Sequence, residues 1–167
     1  MKNNKKEYLK IYIVAVNVKT KKIISMKVTT DDEYVYNSKA LPELVDEATK
    51  SDKKITIGKL FADGAYDGND IFRNLADNGI QPCIKVRKNS RVRWKKGHIL
   101  RNLTVLAQRN DLQRWKDGVS YGQRWIVETV FSCLKRRFGE YVYSVKLQNM
   151  IQEMMLKASL YNKMISV

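Results

Sequence analysis

Residues 55–67 read Ile-Thr-Ile-Gly-Lys-Leu-Phe-Ala-Asp-Gly-Ala-Tyr-Asp, an apolar run that stops at an acidic residue and a glycine. The run from Ile55 to Ala62 predicts a buried β-strand. Open α/β sheets place their ligands at the carboxyl ends of the strands, which is where Asp63 falls in this prediction. The stretch therefore predicts an α/β fold and makes Asp63 a candidate site residue.

The segments on either side extend this pattern. Two apolar, β-branched stretches, Tyr8–Val18 and Ile23–Thr30, predict strands, and the polar residues between them predict a hairpin. Ile80–Arg87 predicts a further strand. Helical spacing of apolar residues predicts four helices, over Ser38–Thr49, from about Ile71 to Asn78-Gly79, over Ser120–Phe138 and over Leu147–Ile165. No change of composition indicates a linker, so residues 1–167 are expected to form a single domain.

Composition narrows the class of protein. The chain has 167 residues, 44% of them hydrophobic, so it is globular rather than disordered. No apolar run approaches the roughly 20 residues that a membrane span needs. Two cysteines far apart predict neither a disulfide framework nor a zinc site, which is typical of a reduced cytosolic protein. Thirty-two Lys and Arg against seventeen Asp and Glu give a net charge of +15, which predicts a nucleic-acid partner.

The positive charge is concentrated in one segment. Residues 85–101 hold no acidic side chain and carry Trp94 near their middle. We interpret this region as an inserted basic loop or hairpin, within an insertion at about residues 88–117. Its cations are candidates for DNA binding, namely Lys85, Arg87, Lys88, Arg91, Arg93, Lys95 and Lys96.

A second set of polar residues lies at helical spacing. Ser120-Tyr-Gly-Gln123 has the form of a capping box, which predicts a helix start. Tyr121, Arg124, Glu128 and Lys135 would then lie on one stripe beside the apolar face. Taken alone, this pattern is also typical of an ordinary helix with an Arg124–Glu128 pair. Together with Asp63 it suggests a shared divalent cation, since hard carboxylate ligands suit Mg²⁺ or Mn²⁺.

These residues resemble a known family. The pattern Tyr121-x2-Arg124-x3-Glu128-x6-Lys135 has the spacing of the Y-(2)-R-(3)-E-(6)-K signature of DDE-type insertion-sequence transposases. Residues 62–67 resemble the family's second-aspartate block, and the likeness runs from about Tyr8 to the end. It implies a ribonuclease H-like mixed sheet flanked by helices. It also implies DNA as partner, with a dimer acting on transposon ends and target in a prokaryotic, nucleoid-associated setting.

The resemblance also implies roles for individual residues. Asp63 would be the second aspartate and Glu128 the glutamate of an Asp-Asp-Glu triad that binds two Mg²⁺ or Mn²⁺ ions for DNA phosphoryl transfer. Tyr121, Arg124 and Lys135 would contact phosphates at the transposon end.

The family's first aspartate has no counterpart in the residues that precede the hairpin, Met1–Glu7. We therefore expect a partial catalytic domain that lacks its first, central strand and is inactive alone. One alternative is a basic nucleic-acid-binding remnant without catalysis, and another is a nuclease using Asp63, Glu128 and Lys135. The last ranks lowest, because such nucleases usually carry the acid and the lysine on a strand.

Overall fold

The computed structural model describes residues 9–30, 37–51 and 56–166. Tyr8 and Ile55, the predicted first residues of two strands, lie outside these ranges, as do Met1–Glu7. The chain divides into two compact units. Unit 1 comprises Met1–Tyr36 and Ile126–Val167, whereas unit 2 is the continuous segment Asn37–Trp125.

Unit 1 begins with the predicted hairpin, which the structure confirms. Strands β1 (Leu9–Val16) and β2 (Ile23–Thr30) pair in antiparallel fashion. The turn between them is shaped by Asn17, whose side-chain oxygen accepts the N–H groups of Lys19 at 2.9 Å and Thr20 at 3.0 Å. These two local bonds satisfy backbone N–H groups at the point where the chain reverses.

Two helices cover the hairpin and complete the core of unit 1. They are α5 (Trp125–Phe138) and α6 (Leu147–Met164), numbered by their place among the six α-helices of the described residues. On α6, Asn162 accepts the N–H of Ile23 at 2.8 Å and donates to its carbonyl at 2.7 Å, which fixes the start of β2. The buried apolar residues of this core are Val14, Ile23, Met26, Ile126, Val130, Leu134, Met154, Ala158 and Tyr161.

The loop between α5 and α6 is held by Glu153. Its carboxylate accepts the N–H of Tyr143 at 3.0 Å and that of Ser144 at 3.0 Å, and it pairs with Lys157 at 3.1 Å. Burial pushes the pKa of Glu153 upward, but these hydrogen bonds outweigh burial and lower the pKa from 4.5 to about 2. The bonds therefore favour the charged carboxylate.

Unit 2 contains a parallel strand pair covered by helices. Helix α1 (Asn37–Ser51) is followed by β3 (Lys59–Ala62), α2 (Asn69–Asp77) and β4 (Gln81–Ile84). Strand β3 pairs with β4 in parallel. Both strands are shorter than predicted. The predicted helix stop is confirmed, since Asn78 caps α2 and Gly79 adopts a φ of +68°. The core residues are Leu41, Val45, Ala62, Ile71, Phe72, Leu75, Ile80 and Ile84.

The basic segment differs from the prediction. Residues 85–98 form a loop without strands, but the last three residues of the expected loop or hairpin, 99–101, begin α3 (Ile99–Asn110). Helix α4 (Leu112–Val119) follows, in a stretch for which the sequence predicted no element. Helix α3 was not predicted because its buried face includes polar residues, whose pattern is typical of a solvated surface. Those buried polar residues are Arg101, Asn102 and Gln108.

The described residues thus form a mixed α/β structure. Their four strands make one antiparallel and one parallel pair. No helix within the described ranges is long and apolar enough to cross a membrane.

Acid should remove the contribution of Glu153 to stability. A lowered folded-state pKa stabilises the protein fully above about pH 4.5, and this stabilisation is lost as the pH falls toward about 2. We therefore expect E153Q to lower the free energy of unfolding most at about pH 6, with a smaller difference from wild type at about pH 3. Urea unfolding at both pH values measures this.

The control for that experiment is Glu140, whose ion pair with Lys135 at 3.1 Å is exposed on both sides. Exposed pairs contribute little, so E140Q should leave the free energy of unfolding nearly unchanged at both pH values. A difference between E153Q and wild type that stays constant across this range would contradict the stabilising role of the ionised carboxylate.

Candidate active site and nucleic-acid interface

Asp63 lies where the sequence predicts, directly after the carboxyl end of β3. Its side-chain oxygen accepts the N–H of Ala65 at 2.9 Å and thereby caps a single 3₁₀ turn, Gly64–Tyr66. The side chain remains exposed. Burial, and then the negative charge of Asp63, raise the pKa of Tyr66 to about 12, so the neighbouring phenol stays neutral.

An open pocket of about 560 Å³ surrounds this turn. Because β3 and β4 are parallel, their carboxyl ends share one edge, and the residues that follow β4 lie beside Asp63. Of the described residues that line the pocket, Asp63 alone is acidic. Five are cationic, which gives the pocket a positive charge suited to a polyanion: Lys85, Arg87, Lys88, Lys116 and Arg124.

Tyr121 and Arg124 reach the pocket by a different route from the one predicted. Ser120 adopts a left-handed conformation with φ 61°, and its backbone N–H closes the end of α4. Its side chain makes no capping bond, so the predicted capping box is wrong. Residues Tyr121–Arg124 form a 3₁₀ turn, and α5 begins only at Trp125. Ser120 does not serve as an N-cap of the predicted kind, because such a residue has an extended backbone. Tyr121 and Arg124 lie before α5 begins, so the expected helical stripe is wrong for these two residues.

Tyr121 attaches this turn to the strand that carries Asp63. Its hydroxyl donates to the carbonyl of Ala62 at 3.0 Å, and the side chain is buried. Ala62 directly precedes Asp63, so the bond fixes the end of β3 against the turn that also holds Arg124.

A buried carboxylate that the sequence analysis missed organises the other side of the pocket. Asp67 accepts Arg101 Nε at 2.7 Å, the N–H of Arg87 at 3.1 Å and the hydroxyl of Ser90. Its side chain is only 1% exposed. Arg101 also donates to the carbonyl of Arg91 at 3.2 Å, which ties the loop at a further point. No local pattern marked Asp67 as a buried ion-pair residue, because its partner Arg101 lies 34 residues away in the sequence.

The same loop packs directly against the Asp63 turn. Arg87 Nε donates to the carbonyl of Gly64 at 2.8 Å. A Cβ atom at Gly64 would lie 3.2 Å from Arg87 Cγ and 3.3 Å from the Lys85 carbonyl oxygen, closer than ordinary contact. Gly64 thus permits the close approach that brings these cations beside Asp63.

The remaining candidates lie elsewhere. Arg91, Arg93, Lys95 and Lys96 are exposed on the 85–98 loop but do not line the pocket. Glu128 and Lys135 lie on α5, are exposed, and belong to unit 1. The structure adds Lys116 of α4 to the pocket, a residue inside the predicted basic insertion but outside its acid-free segment.

The donor chemistry of the pocket fits part of a magnesium site. A carboxylate such as Asp63 provides the hard oxygen that Mg²⁺ or Mn²⁺ prefers, but a complete site needs further oxygen ligands. Within residues 9–30, 37–51 and 56–166, no group of three or more His, Cys, Asp or Glu side chains is placed to hold a metal ion.

An exposed carboxylate at a strand end, among cations, is the arrangement expected of a protein that acts on phosphodiesters. The chain matches the family model described as Transposase DDE domain over residues 1–163, and it belongs to this family. The resemblance seen in the sequence is thereby confirmed. No solved structure matches the chain. Membership makes this a transposase domain, from a family whose partner is DNA and which generally depends on divalent metal ions.

Loss of the Asp67 charge should release the basic loop. Breaking a buried ion pair by removing one partner costs about 3–5 kcal/mol, so we expect D67N to lower the free energy of unfolding by about 3 kcal/mol. Trypsin should also cleave faster within residues 85–98. Urea unfolding and timed proteolysis measure the two effects.

Asp70 provides the matched control, because its pair with Arg73 at 3.7 Å is exposed. D70N should change the free energy of unfolding by less than about 1 kcal/mol and leave proteolysis of the loop as in wild type. Equal effects of D67N and D70N would show that the buried pair does not hold the loop.

Proposed function

We propose that this chain is the catalytic portion of an insertion-sequence DDE transposase that cleaves and transfers DNA strands. The observation that carries the proposal is the place of Asp63 at the carboxyl end of β3, in a pocket with five cations. In this proposal the pocket receives the DNA backbone at the bond to be cut. A ribonuclease H-like arrangement, action as a dimer on transposon ends and target, and a nucleoid-associated location in the cytoplasm of a prokaryote belong to the same proposal.

The pocket cations bind and orient the DNA strand. Lys85, Arg87 and Arg124 neutralise phosphate charges, and their fixed position beside Asp63 sets which phosphate lies next to its carboxylate. Tyr121 acts by positioning, because its hydroxyl is donated to Ala62. Lys88 and Lys135 make further phosphate contacts, as do Arg91, Arg93, Lys95 and Lys96 along the loop.

Asp63 and Glu128 are the proposed metal-binding residues. Mg²⁺ or Mn²⁺ bound there would supply Lewis-acid stabilisation of the phosphoryl oxygens and of the attacking and leaving groups. In this proposal Asp63 and Glu128 are the second aspartate and the glutamate of the triad, and the first aspartate has no counterpart before the hairpin. We therefore propose that this chain is inactive alone and requires a further carboxylate before it cleaves DNA.

Removal of either carboxylate should weaken metal binding. We expect D63A and E128A each to raise the Kd for Mn²⁺ on the order of tenfold or more, since even loss of an outer-shell partner costs that much. Calorimetry or electron paramagnetic resonance of Mn²⁺ with the full chain measures the change. The double variant should bind little more weakly than either single variant if both ligate the same ions.

D70A is the control, because Asp70 is an exposed carboxylate away from the pocket lining. It should leave Mn²⁺ affinity unchanged. Unchanged affinity in both D63A and E128A would rule out the shared site.

A second candidate function is nucleic-acid binding without catalysis, and the excess of cations over acids in the pocket favours it. Salt dependence of binding does not separate the two, because both predict it. Mn²⁺ affinity does separate them, because only the catalytic proposal expects it to fall in D63A and E128A. Neither expects the chain alone to nick supercoiled plasmid in Mg²⁺ or Mn²⁺, so nicking that is lost in E128A would exclude a binding module and would also show that the chain is active alone.

A further inference from the structure

A second surface with the chemistry of a nucleic-acid contact lies in unit 1. We call residues 139–146, which join α5 to α6, the tyrosine loop. Tyr141 is 79% exposed and Tyr143 is 86% exposed, and Val145 beside them is 85% exposed. Large side chains exposed together on one short loop are typical of a contact surface.

The backbone of the tyrosine loop is fixed although its rings are exposed. Glu153 accepts the N–H groups of Tyr143 and Ser144, as described above, and Lys157 donates to the carbonyl of Tyr141 at 2.8 Å. Glu153 and Lys157 also pair with each other, both largely shielded from solvent. A backbone that is already fixed loses little conformational entropy when the loop binds a partner, so this loop is preorganised for contact.

The surroundings of the loop are positive. Residues 135–157 include five cations and two acids, and both acids are paired, Glu140 with Lys135 and Glu153 with Lys157. Of the remaining cations, Arg136 and Arg137 lie in the last turn of α5, just before the loop, and Lys146 is the last residue of the loop. A cationic rim favours a polyanion over an apolar protein partner.

We propose that the tyrosine loop binds unpaired bases of a DNA strand by stacking them on Tyr141 and Tyr143. Aromatic side chains combined with cations are the usual means of binding single-stranded nucleic acid, because every base offers a π-face and every nucleotide a phosphate. The Lys157 ammonium lies 6.0 Å from the centre of the Tyr143 ring and adds positive charge beneath it. Only the choice of DNA as partner rests on the proposed function; the stacking surface does not depend on catalysis.

The test compares two labelled oligonucleotides of equal charge, oligothymidylate of about 20 nucleotides and an abasic strand of the same length. Fluorescence anisotropy with the full chain, in EDTA, gives each Kd. Wild type should prefer the strand with bases. The Y141A/Y143A variant should bind oligothymidylate about fivefold or more weakly, which is the lower end of the contribution of one stacked base. Its affinity for the abasic strand should be unchanged.

Two variants keep the test independent of folding. Y141F/Y143F retains both rings and should retain the preference for bases, whereas V145A removes a neighbouring exposed side chain and should change neither Kd. Because the three side chains are exposed, urea midpoints of all variants should match wild type.

Three outcomes overturn the proposal: equal wild-type affinity for the two strands, an equal loss for both strands in Y141A/Y143A, or loss of self-association without loss of base preference. The last would identify the loop as a contact between copies of the chain. The anisotropy assay is run in EDTA, so its outcome does not depend on metal binding. Failure of the stacking test therefore leaves the Mn²⁺ and nicking tests of the proposed function unaffected, and failure of those tests leaves the stacking test unaffected.

Discussion

The ion pair between Asp67 and Arg101 is the constraint on which the candidate site depends. Five pocket cations repel one another, and Asp63 alone offsets little of that repulsion. Burying a carboxylate is unfavourable unless its oxygens are satisfied, and Asp67 satisfies both with Arg101, the Arg87 N–H and the Ser90 hydroxyl. The loop is therefore held beside the Asp63 turn by the Asp67 carboxylate, which is buried and does not line the pocket.

Local patterns in the sequence predicted most elements but not their ends. Apolar, β-branched stretches were sufficient for the hairpin, and helical periodicity was sufficient for α1, α2 and α6. Ser120 shows where this reasoning fails, because Ser-x-x-Gln fits a capping box equally well when the serine instead closes the preceding helix in a left-handed conformation. Helix α3 was missed because polar Asn102 and Gln108 lie on its buried face. The second error arises from tertiary packing, which local propensity does not encode.

The candidate site was predictable in its chemistry and not in its assembly. Asp63 and the cations after β4 follow from a strand end and a charge run, both local signals. Residues 62 and 121 are joined by a tyrosine hydroxyl, and residues 67 and 101 by an ion pair. Such contacts join distant parts of the chain and need the fold. Tyr121 therefore supports the end of β3, although its spacing had indicated a helix face beside Glu128.

The division of the chain into units has a consequence for synthesis on the ribosome. Unit 2 is continuous, so its contacts can form as soon as residues 37–125 have emerged. The hairpin of unit 1 is made first, but its apolar residues Val14 and Ile23 pack against Val130 and Met154. These early strands must wait, with their apolar face uncovered, until α5 and α6 have emerged. We therefore expect this hairpin to be the slow-folding part of the nascent chain. It is also the part on which chaperone binding or aggregation would occur.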